Sequence, residues 1–498
     1  MRKFLSFALI TGLLFTACNN DDGPDTPEPT GQEPLDTVNV VSQDFIWKAT
    51  NLWYFWQQDV PNLADDAFTT TEDYTDFLAS ESDPGALFDN KLRFAEDRFT
   101  FYSSNYKELT QSLSGVSSSN GLEFGLVRFN TGNDLFGYVQ YIEPNSDAAG
   151  KNIARGDLFT GVDGQALTLD NYIGLLFGDN STYTLNLATI SNNTITPTDE
   201  EVTLTKQAGF QSQPILMEKI IEQNGRRIGY LVYNQFLDEF DTALNEVFGR
   251  FKSEGITDLV LDLRYNPGGS VLTSQRLASM IYDNSTDRVF SKSIYNDKYN
   301  AFLTAENVDV NRYFQDNVEG QALNSLNLSQ VYVIALRSSA SASELVINSL
   351  VPYMDVIHVG DTTRGKNEFS TTMVDDVNSN FGPYIYNPER ENEINPDNQW
   401  AIQPLIGRSA NADGFFDYTS GLIPDIVLEE EIDDLGVLGD ENEPLLKAAL
   451  DAISGVSAKS GRTTPRMPIN DFSTSKMNGP TKDNMYVKRL PAAMRPSE

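Results

Sequence analysis

Residues 338–343 are Ser-Ser-Ala-Ser-Ala-Ser, and they join a strand-like segment, "VYVIAL", to a helix-like one, "SASELVINSL". Small residues leave the backbone open to close approach, and several hydroxyls stand where the helix begins. A serine at a helix N-terminus benefits from the positive end of the helix dipole, which stabilises developing negative charge. Ser341 followed by Glu344 also fits a helix-capping box, which explains both residues without any chemistry. The pattern therefore predicts a nucleophilic serine or a helix cap.

A nucleophilic serine needs a base, and two residues are candidates. The only histidine, His358, lies in the apolar segment "VIHV", a pattern more typical of a core histidine than of a catalyst. Lys366 lies in the following loop, "GDTTRGKNEFS", beside Gly365. A lysine is mostly protonated in water, but burial in an apolar site lowers its pKa toward neutrality. Lys366 is the expected base if its side chain is buried, and an ordinary loop lysine if it is exposed.

The elements around these residues alternate between strand and helix patterns. The strand-like segments are "RIGYLVYNQF", "DLVLDL", "VYVIAL" and "VIHVG", with helical patterns between them. This succession predicts a parallel sheet with right-handed crossovers, whose ligands bind at the carboxyl ends of the strands. The loops 264–270, 338–343 and 361–370 are expected to meet there. The topology therefore predicts that Ser341 and Lys366 lie close together.

Three motifs, "LDLRYNPGG", "SASASE" and "GKN", occur in this order and are followed by "SGLIPDIVL". Over roughly residues 110–455 the chain resembles the C-terminal-processing (tail-specific) serine proteases, peptidase family S41. The resemblance implies that Ser341 is the nucleophile and Lys366 the general base. It also implies an oxyanion hole made by the backbone N–H groups of Gly269 and Ala342, which stabilise the charged tetrahedral intermediate. The implied activity is endoproteolysis of proteins or peptides near their C-termini, without metal or other cofactor.

The resemblance implies supporting roles for Asp262, Arg264, Gly268 and Glu344, at positions that hold these loops together. Many relatives carry glutamine four residues after the lysine, where it helps to orient the amine. This chain has Ser370 at that position. Ser370 could still hydrogen-bond the amine, or Glu344 could take that role. We expect lower activity than in relatives, or a dyad that aligns only when substrate binds.

Residues 111–212 contain strand-like segments with glycine punctuation, such as "GLEFGLVRF" and "GYVQYIEP", and a helical "LDNYIGLLFG". Their order resembles a PDZ domain of the kind found in proteases. The resemblance implies a peptide-binding site at Glu123, Phe124, Gly125 and Leu126, where backbone N–H groups would receive a peptide carboxylate. The bound peptide would then add as a strand at the sheet edge.

Residues 1–17 combine a basic start, an apolar stretch and small residues before Cys18, which predicts a secretory signal peptide. The segment resembles a bacterial lipobox, which implies acylation of Cys18 and attachment to a lipid membrane. An ordinary cleavage site beside an incidental cysteine is the alternative. Residues 18–37 are rich in Pro, Asp and Glu and predict an extended tether. Asn19 does not signal inner-membrane retention, so we expect a cell-envelope, outer-membrane lipoprotein, periplasmic or surface-facing.

The composition excludes several classes of function. The chain has 36 Lys+Arg against 71 Asp+Glu, a formal net charge of −35, which argues against nucleic acid as a partner. One cysteine and one histidine cannot form an internal disulfide or a Cys/His zinc site. We expect neither metal nor cofactor, and protein or peptide substrates as partners.

The expected fold is α/β and multidomain. Helically spaced aromatic residues predict a small N-terminal helical domain at 38–110, before the PDZ-like β-rich domain. The peptidase core, with its parallel-containing sheet, is expected at 213–455. The last segment, 456–498, is basic and scattered with Pro, Ser and Thr. It predicts a solvated, poorly ordered tail, with docking on the acidic body as the alternative.

Other interpretations are weaker. The S-x-x-K pattern of penicillin-recognising enzymes occurs at 104–107 and 473–476, but neither copy is followed by K-T-G. An α/β-hydrolase is disfavoured because G-x-S-x-G does not occur. A non-enzymatic lipoprotein that captures peptide ends through the PDZ-like domain is compatible with Ser370. Retention of Ser341, Lys366 and Gly269 together favours the enzyme.

Overall fold

The computed structural model describes residues 39–129, 132–191, 194–456, 469–478 and 482–490. From Val40 onward these residues belong to one folded unit. The signal peptide, Cys18 and the tether at 18–37 lie outside the described residues. Within the described part of the chain, no helix is both long and apolar enough to cross a bilayer.

The N-terminal region is mainly helical, and its elements are α1 (Val41–Trp53), α2 (Thr71–Ala79), α3 (Pro84–Leu87), β1 (Phe101–Ser103) and α4 (Tyr106–Leu113). The aromatic residues spaced along α1 face the main hydrophobic core. Trp53 stacks on Tyr299 with ring centroids 4.1 Å apart, and its indole N–H donates to the Pro383 carbonyl at 2.8 Å. The N-terminal helices therefore share a core with the segments that follow.

A β-rich region comes next, and its elements are β2 (Val116–Ser119), β3 (Leu122–Phe129), β4 (Leu135–Ile142), β5 (Leu158–Val162), β6 (Gln165–Ala166), α5 (Tyr172–Leu176), β7 (Thr182–Ser191), β8 (Thr194–Thr205) and β9 (Gln207–Gln211). Strands β3, β4, β5, β7 and β8 are neighbours in that order. They enclose a core of their own that includes Phe124, Val139, Phe159 and Leu185. The glycine-punctuated segments thus form the strands that their pattern predicts.

The largest region begins with β10 and ends with α10. Its elements are β10 (Ile215–Gln223), β11 (Arg226–Tyr233), α6 (Asp241–Ser253), β12 (Asp258–Asp262), β13 (Gly269–Ser270), α7 (Val271–Ile281), β14 (Val289–Tyr295), α8 (Asp297–Ala305), β15 (Asn311–Tyr313), β16 (Asn317–Val318), β17 (Gln321–Ala322), β18 (Gln330–Ala335), α9 (Ala342–Leu350), β19 (Asp355–Gly360), β20 (Glu368–Ser370), β21 (Met373–Val374), β22 (Ala401–Gln403), β23 (Leu405–Ala410), β24 (Ile426–Val427) and α10 (Pro444–Ile453).

The central sheet has the order β10-β11-β12-β18-β19-β24. All neighbours pair in parallel except β10 and β11. Side chains alternate between its two faces: Leu261 and Val333 pack into the core that contains α7 and α9, whereas Val260 and Ile334 pack against α10. This is the parallel sheet that the alternating pattern predicts, and its carboxyl edge carries the loops after β12, β18 and β19.

The C-terminal segment supplies two more strands, β25 (Ile469–Thr474) and β26 (Met485–Tyr486). Strand β25 pairs antiparallel with β3, and β26 lies between β13 and β20. The prediction of a solvated tail is wrong for residues 485–487, since Met485, Tyr486 and Val487 are buried, and the alternative of a tail docked on the body describes these residues. These apolar side chains and the backbone pairing outweigh the basic composition around them.

Candidate active site

Ser341 occupies the turn before α9 in a strained backbone conformation. Its φ of 61° and ψ of −114° lie outside the regions that most side chains adopt, and its side chain is fully buried. The backbone N–H of Ser341 donates to Glu344 Oε2 at 2.8 Å, and Ala342 is the first residue of the helix. The Ser341 hydroxyl donates to the Asp483 carbonyl oxygen at 2.8 Å. Glu344 thus completes its part of the predicted capping box, while the hydroxyl points toward the C-terminal segment, which lies in the cleft between β13 and β20.

Lys366 lies in the loop after β19, and its side chain is buried rather than exposed. The amine sits over the Phe99 ring, 4.9 Å from the centroid. Burial lowers the pKa of Lys366 to about 8, against an opposing effect of nearby carboxylates, of which Asp483 is the largest. Burial against an aromatic ring therefore brings the pKa of this lysine closer to neutral pH than that of an exposed lysine.

One carbonyl oxygen contacts both candidate groups. The Lys366 amine donates to the Asp483 carbonyl oxygen at 2.5 Å, and the Ser341 hydroxyl donates to the same atom. The serine turn follows β18 and the lysine loop follows β19, which are adjacent parallel strands. The carboxyl edge of the sheet therefore brings the two side chains to one point, as the topology predicts.

Glu344 ties the serine turn to the lysine loop. Besides the Ser341 N–H, its carboxylate accepts from the Thr363 hydroxyl at 2.5 Å, the Gly365 N–H at 2.7 Å and the Lys366 N–H at 2.9 Å. Burial raises the pKa of Glu344 to about 7, while these hydrogen bonds favour the charged form. Glu344 therefore holds Lys366 through its backbone.

Two glycines pass directly beside the serine. Gly268 and Gly269 have φ values of 109° and 138°, which favour glycine. A Cβ on Gly268 would come within 2.5 Å of both the Ser341 Cβ and the Asn484 carbonyl oxygen. Only glycine therefore fits between Ser341 and the C-terminal segment. The Gly269 N–H donates to the Asn484 carbonyl oxygen at 2.5 Å. Gly269 thus presents a backbone donor to a carbonyl at this point of the cleft.

A buried ion cluster fixes the loop that carries the glycines. Arg264 is fully buried and pairs with Asp262 Oδ2 at 2.7 Å and Glu443 Oε1 at 2.7 Å. Glu430 lies 3.0 Å from the same guanidinium. A buried guanidinium is tolerated when its donors are satisfied in this way. Asp262 and Arg264 therefore join the end of β12 to the start of α10.

Ser370 directs its hydroxyl at the C-terminal segment. Its Oγ lies 3.1 Å from Asn484 Oδ1 and 3.2 Å from the Met485 carbonyl oxygen, and it accepts from Gln403 Nε2 at 3.2 Å. The Ser370 hydroxyl therefore contacts the C-terminal segment and Gln403 rather than the lysine amine, and the hypothesis that it hydrogen-bonds the amine is wrong for this structure. A glutamine does approach the position, from β22.

The predicted peptide-binding residues Glu123, Phe124, Gly125 and Leu126 lie on β3. Strand β25 covers this edge, with Thr474 opposite Gly125. The Phe124 N–H donates to Ser475 Oγ at 3.1 Å, and the Glu123 carboxylate accepts from the same hydroxyl. The edge that was predicted to receive a peptide strand thus receives one from the chain itself.

The site also contains residues that no sequence motif predicts. Phe99 comes from the N-terminal region, and the neighbouring Arg98 donates to the Gly365 carbonyl at 2.5 Å. Arg364 Nε pairs with Asp483 Oδ2 at 2.9 Å. A signal existed for Arg364, which stands two positions before Lys366, and for the apolar "MYV" run in the polar tail. Among the described residues, no group of three or more His, Cys, Asp or Glu could hold a metal ion.

Comparison with known proteins gives the same family for two parts of the chain. Residues 227–426 match the model of peptidase family S41, and residues 42–101 match the peptidase S41 N-terminal domain. A carboxyl-terminal-processing protease of Picosynechococcus is 25% identical over 354 residues, covering 70% of this chain and 73% of that protein. A CtpA-like serine protease of Staphylococcus aureus is 22% identical over 353 residues, covering 69% of this chain and 60% of that protein.

A solved structure shows the same fold. An S41 protease from Bacteroides fragilis superimposes with a TM-score of 0.62 at 24% identity, covering 87% of this chain and 100% of that chain. The three sequence motifs, the parallel sheet and these matches agree. The chain belongs to peptidase family S41, the serine peptidases that include the carboxyl-terminal-processing proteases.

Proposed function

We propose that this protein is an endopeptidase of the bacterial cell envelope that cleaves proteins or peptides with a Ser341/Lys366 dyad, near their C-termini. The observation that carries the proposal is the carbonyl oxygen of Asp483, which accepts from both the serine hydroxyl and the buried lysine amine. A peptide backbone within hydrogen-bond distance of both side chains supports their joint role in peptide cleavage.

The chemistry follows from the protonation state of the lysine. With a pKa of about 8, about one Lys366 in ten is neutral at pH 7. The neutral amine accepts the Ser341 proton as Oγ attacks the substrate carbonyl carbon. The backbone N–H groups of Gly269 and Ala342 donate to the resulting oxyanion. The lysine then protonates the leaving amine, the C–N bond breaks, and water releases the acyl group from the serine.

The β-rich region supports a role in capturing substrate. The edge of strand β3 is covered by the antiparallel strand β25, which a substrate peptide would displace. A substrate peptide would take the same place by strand addition, with its terminal carboxylate near the Phe124 N–H. A PDZ-like function of Glu123–Leu126 is part of this proposal. Titration of the full-length protein with C-terminal peptides, free and amidated, tests it, and equal affinity for the two would contradict carboxylate recognition.

Membrane attachment is a separate part of the proposal and is supported by the leader and by Cys18. Acylation of Cys18 would place the enzyme in the outer membrane. The test is detergent partitioning of the protein from cells grown with labelled palmitate. Label in the wild type and none in Cys18→Ala is the expected result, and equal soluble fractions for both would contradict it.

The decisive experiment compares digestion of an unfolded protein by the wild type, Ser341→Ala and Lys366→Ala. Lys447→Ala is a matched control, since that lysine is exposed on α10 and forms a surface ion pair with Asp451. We expect full activity in the control and losses of about a thousandfold or more in the two dyad variants. Equal turnover by all four would defeat the dyad assignment. Peptide binding without any cleavage would instead favour a non-enzymatic peptide-binding lipoprotein.

A further inference from the structure

The C-terminal segment of the chain lies in the catalytic cleft as a strand. Strand β26 pairs in parallel with β13, where Gly269 is opposite Met485 and Ser270 is opposite Tyr486. On its other side, Tyr486 pairs with Ser370 of β20, and the Val487 N–H donates to the Ser370 carbonyl at 2.9 Å. The segment is therefore bound through its backbone on both sides, which is the way peptidases hold extended substrates.

Two successive carbonyl groups of this segment meet the reactive groups. The Asp483 oxygen accepts from the serine and the lysine. The next oxygen, that of Asn484, accepts from the Gly269 N–H at 2.5 Å. Gly269 is one of the two donors assigned to the oxyanion hole, so the Asn484 carbonyl is the one that is placed for attack. The bond that follows this carbonyl is Asn484–Met485.

The cleft also accommodates the side chains around this bond. The Asp483 carboxylate is buried against Arg364 at 2.9 Å. After the bond, Met485 and Val487 are buried, and the Tyr486 hydroxyl donates to the Leu113 carbonyl at 3.0 Å. The ion-paired Asp483 before the bond and the apolar or aromatic side chains after it fit the cleft specifically. Pairing of the backbone alone would not require these side chains.

The preceding stretch anchors the segment in the β-rich region. Strand β25 lies along β3, and the Phe472 ring contacts Tyr172 of α5 with centroids 5.3 Å apart. Ser475 fills the place expected for a peptide carboxylate, with the Phe124 N–H donating to it at 3.1 Å. One continuous tail thus occupies both the proposed capture site and the cleft, and its attachment raises the local concentration of the scissile bond.

We propose, on the basis of the Ser341/Lys366 activity proposed above, that the chain is its own substrate and cleaves its Asn484–Met485 bond in cis. Ser341 Oγ turns from the Asp483 oxygen to the Asn484 carbonyl carbon and bonds to it, while its proton passes to Lys366. Lys366 returns the proton to the Met485 nitrogen as the C–N bond breaks. Water then hydrolyses the ester, which leaves a carboxylate on Asn484 and frees the peptide 485–498.

Cleavage would also open the leaving-group side of the cleft. The freed peptide contains residues 486–489, which line a cavity of about 550 Å³ together with Gln111, Thr371 and Tyr386. Once β26 leaves, the edges of β13 and β20 are available to another strand. The cleft would therefore accept peptides that have an acidic residue and asparagine before the scissile bond and methionine, an aromatic and an aliphatic residue after it.

The test is intact-mass spectrometry of the full-length protein, beside Ser341→Ala and Met485→Pro, with digestion of β-casein measured in parallel. Proline after the scissile bond blocks cleavage without touching the dyad, and Lys488→Ala is the control within the same segment. We expect the wild type and Lys488→Ala to lose residues 485–498 completely. Ser341→Ala and Met485→Pro should keep them.

The outcomes separate this inference from the proposed peptidase function. A wild type that digests casein but keeps an intact tail overturns self-cleavage and leaves the peptidase standing. Cleavage of the tail at another bond overturns the assigned register. Cleavage whose half-life lengthens tenfold on tenfold dilution overturns the cis reaction. If the wild type cuts neither casein nor itself, the peptidase function and the inference fall together.

Discussion

The backbone N–H of Lys366 donates to Glu344 Oε2 at 2.9 Å, and the backbone N–H of Ser341 donates to the same oxygen at 2.8 Å. One buried carboxylate oxygen therefore sets the spacing between the two loops that carry the dyad. Glu344 does not touch the reacting atoms, and it is a positioning residue. Its effect should appear in kcat rather than in KM.

We expect Glu344→Gln to lower kcat by about tenfold to a thousandfold with KM almost unchanged, because an amide turns one donor toward the N–H groups that the carboxylate receives. Steady-state kinetics on a peptide with the tail sequence measures this. Glu218→Gln is a useful control, since that carboxylate pairs with Arg250 on the surface and does not contact the lysine loop. A fall in KM and kcat together, or a loss in thermal stability that explains the whole effect, would contradict a positioning role.

The pH dependence of catalysis should follow the lysine. In the proposed dyad Lys366 acts in its neutral form and its pKa is about 8, so kcat/KM should rise with pH with a midpoint near 8 and level off about one pH unit higher. Asp483 is the carboxylate that raises this pKa most. Asp483→Asn should therefore move the midpoint to lower pH in any form that retains residue 483. A midpoint near that of a free lysine would show that the amine is not buried in the active enzyme.

The free energy of unfolding should also depend on the protonation of Lys366, and it should rise with pH. The pKa of Lys366 is lowered from 10.5 to about 8 in the folded protein, so between these values the unfolded chain binds more protons and stability rises with pH. We expect Lys366→Met to be more stable relative to wild type at pH 7 than at pH 11. The shift corresponds to about 3 kcal/mol. Denaturant unfolding at both pH values measures it, and a difference that does not change with pH would contradict the assignment.

Much of the site was predictable because neighbouring strands carry it. The apolar runs around Leu261 and Val333 form adjacent parallel strands, and the loops after such strands meet at one edge. That rule places Ser341, Lys366 and Gly269 together without further information. The order of the strands does not determine whether Lys366 is buried, because its burial depends on Phe99, a residue from the N-terminal region.

The tail was not predictable from its composition. Polar and basic residues surround Met485, Tyr486 and Val487, and such segments usually remain solvated. Their burial depends on a cleft whose walls come from β13 and β20. Pairing over such sequence separations leaves no local periodicity, so a short apolar run was the only signal.

The buried ion cluster should contribute strongly to stability. Arg264→Met would leave Asp262 and Glu443 buried without their partner, and we expect a loss of about 3–5 kcal/mol in unfolding free energy. Arg250→Met is the matched control, because that arginine pairs with Glu218 on the surface, and it should change stability by less than about 1 kcal/mol. Urea titration gives both values. Equal effects for the two variants would mean that the cluster does not hold the loop.

Because the backbone of Ser341 is strained, glycine should be more stable than alanine at this position, which reverses the usual order within a helix. At a φ of 61°, glycine is relaxed and alanine is not, so Ser341→Gly should be more stable than Ser341→Ala by about 1 kcal/mol, although both lack the nucleophile. Ser343 provides the control, because it lies within α9 and glycine there should be less stable than alanine by about 0.5–1 kcal/mol. The four variants can be compared by denaturant unfolding at one pH, where the missing hydroxyls cancel within each pair. If the glycine variant were less stable than the alanine variant at both positions, Ser341 would have an ordinary helical conformation. That result would contradict the positive φ of Ser341 and the turn that directs its hydroxyl into the cleft.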